Sequence, residues 1–83
     1  MVVVEGRVVD RTLDCRGLFC PLPIVRMKRV MAEMGEGEVL EVQATDPGSR
    51  RDFEAWCRKT GNTLLSVSEE GGVFTYVVRK GGP

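Results

Sequence analysis

The chain has 83 residues, enough for one domain over residues 1–83 with a thin core, which excludes a multi-step active site built between domains. Twelve Lys and Arg balance twelve Asp and Glu, so the formal charge is zero, and this argues against sequence-independent binding to nucleic-acid backbone. Histidine is absent, so any chemistry here runs without imidazole as base, nucleophile partner or metal ligand.

Six short elements are expected in chain order. Val2 to Asp10 is valine-rich with interleaved polar residues, which reads as a strand with an irregularity at Gly6. Arg11 to Phe19 reads as a loop, with Asp14 and Gly17 as turn formers. From Pro21 the period changes to helical: Ile24, Met27, Met31 and Met34 share a face with Val30 alongside, Lys28, Arg29 and Glu33 lie opposite, and Gly35 and Gly37 end the helix. The methionines read as core of this helix.

Glu38 to Thr45 alternates, with Leu40, Val42 and Ala44 on one face, as a half-buried strand does. Asp46-Pro47 then starts a second helix, since aspartate caps free backbone N–H groups and proline suits the first helical position. Phe53, Trp56, Cys57 and Thr60 follow at helical spacing until Gly61-Asn62. Thr63 to Glu69 and Val73 to Arg79 form a hairpin through Glu70, Gly71 and Gly72. The resulting fold class is α+β, in the order β-α-β-α-β-β: a two-layer sandwich with two helices on one face of a four-stranded mixed sheet.

The three cysteines, Cys15, Cys20 and Cys57, are too few to hold zinc without histidine, so no metal site is expected. Met1 to Glu5 has the run of neither a signal peptide nor a membrane span, which makes a reducing cytoplasm the expected compartment. In it a cysteine stays a thiol unless it works chemically. The densest cluster of unusual residues is Asp14-Cys15-Arg16-Gly17-Leu18-Phe19-Cys20-Pro21-Leu22-Pro23. Pro21 and Pro23 fit the first and third helical positions, where a missing N–H costs little, and they stiffen the turn. Cys20 then becomes the N-cap, where a thiol is a poor structural choice and invites a chemical explanation.

Magnitudes indicate which chemistry. A charge at a helix N-terminus gains ~0.3–1 kcal/mol and one pKa unit is ~1.4 kcal/mol, so the dipole alone lowers a thiol from ~8.5 to ~8. Arg16, Arg26 or Arg50 add to this if the fold brings them close. Such a moderately activated thiol suits sulfur–sulfur exchange, where the best attacking thiol has a pKa near ambient pH. Acyl transfer lacks a base and an oxyanion-stabilising side chain.

The pattern Asp14-x-x-Gly17-x-x-Cys20-Pro21-x-Pro23 resembles the signature of the TusA/SirA-like sulfur carrier proteins. The resemblance extends over nearly the whole chain, through the Gly35 to Glu38 turn, the Asp46-Pro47 helix start, the Trp56-Cys57 segment and the terminal hairpin. It implies the sandwich fold already derived. It also implies a sulfurtransferase-type carrier with no bound cofactor, whose Cys20 transiently bears a persulfide. The implied partners are a cysteine desulfurase or rhodanese-type donor and a downstream acceptor protein. Uses in such families include tRNA thiolation, molybdenum cofactor supply and sulfur oxidation.

Cys15, five residues before Cys20, is either an accessory thiol that resolves the persulfide or a small residue packed under the loop. Cys57 reads as core beside Phe53 and Trp56. Arg16, Arg26, Arg50 and Arg51, with Lys28 and Arg29, would surround Cys20 if both helices start at the same edge, offering contacts to an anion or an acidic partner. Two other readings compete: a regulatory or RNA/protein-binding module without catalysis, and a Cys15–Cys20 redox switch. No membrane partner is expected.

Overall fold

Each strand that alternates in sequence finds its apolar face against a helix. The computed structural model describes residues 2–4, 7–19 and 22–81. In chain order the elements are β1 (Val2–Val4), β2 (Arg7–Val9), β3 (Arg11–Cys15), α1 (Leu22–Ala32), β4 (Val39–Ala44), α2 (Ser49–Thr60), β5 (Thr63–Glu70) and β6 (Val73–Arg79). The main sheet has the order β3-β4-β6-β5, with β3 and β4 parallel and the other neighbours antiparallel.

Leu40, Val42 and Ala44 of β4 are fully covered and pack with Met27, Met31 and Met34 from the α1 segment and with Phe53 and Cys57 from α2. That is the core the two periodicities called for, and it makes the expected α+β sandwich. At its centre the rings of Phe53 and Tyr76 sit 4.2 Å apart, tilted by 38°. The Tyr76 hydroxyl shares a buried 2.6 Å hydrogen bond with the Ser49 hydroxyl at the start of α2, which satisfies both polar groups inside the core. Gly71 and Gly72 both have positive φ, 57° and 83°, the pair of left-handed residues that a two-residue hairpin turn between right-twisted strands requires.

The N-terminal third departs from expectation. The single strand expected over Val2 to Asp10 is two short strands paired with each other, Val2 opposite Val9, in a separate two-stranded sheet. The irregularity expected at Gly6 falls outside the described residues. The edge of the main sheet is taken by Arg11–Cys15, expected as loop, whose Leu13 and Cys15 lie level with Val42 and Ala44 of β4. Strand propensity ranks the valines first, but register decides sheet membership: Leu13 and Cys15 alternate with Thr12 and Asp14 and so deliver apolar side chains to the core side. Asp10 joins the two sheets, its N–H donating to the Val39 carbonyl at 2.9 Å and its carboxylate accepting the Val39 N–H at 2.8 Å.

The second helix starts two residues later than Asp46-Pro47 suggests. Gly48, not Asp46, is the N-cap, and no side chain caps the helix; Asp46 instead forms the turn before it, its carboxylate accepting the Gly48 N–H at 3.1 Å and its carbonyl the Ser49 N–H at 3.0 Å.

Candidate functional site

Because β3 and β4 are parallel, with Cys15 level with Ala44, the connections from both strands leave at the same end of the sheet. The N-termini of α1 and α2 therefore lie at that end, the arrangement on which the expected arginine surround of Cys20 depended. The segment between β3 and α1 carries the signature.

Asp14 and Gly17 shape that segment. The Asp14 carboxylate accepts the backbone N–H of Arg16 at 3.0 Å and two guanidinium N–H bonds from the same residue, Nε at 2.9 Å and Nη2 at 3.0 Å. The side-chain bonds first, and the backbone bond second, hold the Asp14 carboxyl down at about 2. The Leu18 N–H then donates to the Cys15 carbonyl at 3.2 Å and closes a turn whose third residue, Gly17, has φ of 81°. A side chain at that φ is strained, so glycine there is a backbone requirement. The Gly17 N–H donates to the Thr45 hydroxyl at 2.9 Å and pins the turn to the end of β4. Further on, the Leu22 N–H donates to the Phe19 carbonyl at 2.9 Å.

Cys20 and Pro21 lie outside the described residues. Pro23 is buried in the first turn of α1, where it packs as well as stiffens. No acidic residue occupies that turn, so the positive end of the α1 dipole is not neutralised by the helix itself.

The other two thiols are core residues by position. Cys15 is 0% exposed at the end of β3, and burial pushes its thiol up, the nearby Arg26 charge opposing the shift. Cys57 is 3% exposed on the inner face of α2, and burial pushes it up to about 11.

The arginines separate. Arg16 is engaged with Asp14, and Arg50 with Glu54 one helical turn on, at 3.1 Å. Arg50 and Arg51 line a surface groove at the start of α2 together with Asp46, Asp52 and Glu54, so acids balance them. Arg26 lies in a different groove, between β3 and α1, with Arg29, Leu13, Leu22, Val25 and Val30. Phe19, Leu22 and Val25 are all exposed, at 75%, 48% and 44%. Arg29 belongs to the expected cation group, whereas Leu22 and Val25 were not expected as site residues. A signal existed, since Leu22 and Val25 fall off the Ile24, Met27, Met31 stripe and had no buried partner assigned.

Among the described residues no cluster of His, Cys, Asp or Glu is placed to hold a metal ion, and no helix is long and apolar enough to cross a membrane.

Comparison with known proteins gives the site its context. A family model described as sulfurtransferase TusA matches residues 11–80, beginning at the first residue of β3. A Neisseria meningitidis serogroup A protein is 59% identical over 70 residues, covering 84% of this chain and 95% of its own. The sulfur carrier protein TusA of Allochromatium vinosum is 51% identical over 71 residues, 86% of this chain and 93% of its own. The crystal structure of a SirA-like protein from Desulfitobacterium hafniense is 29% identical and superimposes with a TM-score of 0.76 over 87% of this chain and 99% of that one. In sequence and in fold, the chain belongs to the TusA/SirA-like family of sulfur carrier proteins.

Proposed function

We propose that this sulfur carrier holds its cargo as a persulfide on Cys20, receives it from a desulfurase or rhodanese-type enzyme, and hands it to an acceptor protein. The Cys20 thiolate attacks the outer sulfur of the donor's persulfide, the donor's S–S bond breaks, and the donor cysteine leaves as thiolate. One sulfur atom moves between thiols with no net change of oxidation state, so the step needs no redox partner, metal or bound cofactor. Delivery is the same exchange in the opposite sense. Acceptors in tRNA thiolation, molybdenum cofactor supply or sulfur oxidation would all be served by it.

The observation that carries this reading is the burial of the two described thiols. Cys15 and Cys57 are covered and their thiols shifted upward, which supports Cys20 of the signature, by elimination, as the working sulfur. The positive end of α1, which begins two residues after Cys20 in sequence, favours an anionic sulfur there.

Intact-mass analysis after incubation with a cysteine desulfurase and cysteine is the test. Wild type should gain about 32 Da, one sulfur, reversible by dithiothreitol, and Cys20→Ser should gain none. Equal gain by Cys20→Ser, or loading of Cys15 or Cys57 in its place, overturns the assignment.

A further inference from the structure

The groove between β3 and α1 has the features of a docking slot. Its walls are Leu13 on the strand and Leu22, Val25, Arg26, Arg29 and Val30 on the helix. Two of the four large apolar side chains exposed among the described residues, Leu22 and Val25, line it, and such exposure on a small domain marks a contact surface. The Arg11–Glu33 ion pair, 3.1 Å, ties the start of β3 to the residue just past the end of α1. From Leu22 to Ala32 the helix rises about 15 Å, the length of about five residues of extended chain.

Two further facts select the occupant. β3 is an edge strand: among the described residues it pairs with β4 alone, so its outer side is open to another strand. Arg26 and Arg29 have no hydrogen-bonded or ionic partner among the described residues, whereas Arg11, Arg16 and Arg50 each have one. A second copy of this chain seated on the same slot would set these arginines against their own equivalents, which charge repulsion opposes.

We propose that the slot receives an extended acidic and apolar segment of a partner protein, laid alongside β3. One apolar side chain of the segment enters between Leu13, Val25 and Val30, and a carboxylate two residues along, on the same face of the strand, meets Arg26 and Arg29 together, which their i,i+3 spacing on α1 holds within reach of one group. The proposal rests on the sulfur-carrier reading for the identity of the partner as donor or acceptor, but the binding itself requires nothing of Cys20.

The test is an NMR titration of the labelled full chain with the capped pentapeptide Glu-Thr-Leu-Thr-Glu, with Lys-Thr-Leu-Thr-Lys as the charge control. The acidic peptide should shift amides over β3 and Leu22 to Val30, weaken with added salt, and bind equally to Cys20→Ser. The exposed double variant Arg26→Glu/Arg29→Glu should keep its spectral dispersion and bind about fivefold more weakly, the scale of losing two exposed charge contacts. Shifts mapping elsewhere, equal binding of the lysine peptide, or shifts in the slot that follow protein concentration without peptide each overturn the proposal, the last by making a second copy the occupant. Retained peptide binding with failed sulfur loading counts against the carrier reading alone, and the reverse result against the slot alone.

Discussion

The backbone N–H of Gly17 donates to the hydroxyl of Thr45 across 2.9 Å of space and 28 residues of sequence. This bond ties the turn that leads to Cys20 to the C-terminal end of β4, the strand at the centre of the core. The signature glycine therefore does two things at once: its φ of 81° reverses the chain, and its N–H fixes where the reversed chain sits. Gly17→Ala meets no steric obstacle at its new β-carbon, so its cost is conformational alone, about 1–2 kcal/mol for a left-handed alanine. Thr45→Val removes the acceptor at about 0.5–1.5 kcal/mol. Urea unfolding should read these losses, and sulfur loading should slow in both variants while Gly17→Asn, which tolerates left-handed backbone, lies between. Gly17→Ala with unchanged stability and loading would show that the turn does not need glycine.

Asp14 should titrate far below an ordinary aspartate. Its folded carboxyl lies at about 2 against an ordinary 3.8, because the Arg16 side chain and backbone bond the charged form. A folded pKa below the unfolded one means stability that is present above the unfolded value and lost as pH falls from about 4 toward 2. Carbon-13 detection of the Asp14 carboxyl should give a midpoint near 2. Arg16→Ala should bring it back toward the ordinary value, and a wild-type midpoint near 3.8 would contradict the three-bond pairing. The pair is exposed, so the effect belongs to the geometry of the turn far more than to global stability.

Thiol counting separates the cysteines. With Cys57 raised to about 11 and covered, and Cys15 raised and fully buried, neither presents thiolate to a bulky reagent at pH 8. Native protein treated with Ellman's reagent should release one equivalent quickly and the remaining two only on unfolding. Cys20→Ser should release none quickly. Two fast equivalents in wild type would mean that Cys15 or Cys57 reaches solvent.

Lys80 links the end of the C-terminal strand to the segment that closes α1. Its Nζ donates to the carbonyls of Met31, in the last turn of the helix, at 2.7 Å and of Met34, two residues beyond it, at 2.6 Å. Around it the Lys80 N–H donates to the Glu38 carbonyl and the Gly37 N–H to the Lys80 carbonyl, both at 2.9 Å. Lys80→Met keeps the stem and loses the two charge-assisted bonds, which should cost about 1.5–3 kcal/mol in a denaturant titration with unchanged slope. A loss below about 0.5 kcal/mol would mean that water serves those carbonyls equally well.

The parts legible in sequence were those with a local cause. The Ile24, Met27, Met31 stripe and the Leu40, Val42, Ala44 alternation each repeat within a few residues, and both sets lie against the core. Gly71-Gly72 marked its turn because left-handed backbone there admits little else. The first strand was misassigned for the complementary reason: Val2 to Val9 has the stronger strand propensity, yet the place beside β4 went to Arg11–Cys15 through register with residues about 30 positions on, which no local pattern contains. The arginines were visible as a group, but their pairing was not, because Arg16 found Asp14 two residues back through a turn while Arg26 and Arg29 faced a groove formed only when β3 and α1 met.

By itself the sequence determined the family signature around Cys20, the two helices, the central strand and the terminal hairpin, since periodicity, proline and glycine act over a few residues of backbone. Tertiary structure alone decided which strand closes the sheet edge, that Cys15 and Cys57 are buried in the core, and which cations lack a partner among the described residues. Burial and pairing are relations between residues distant in the chain, and packing creates them.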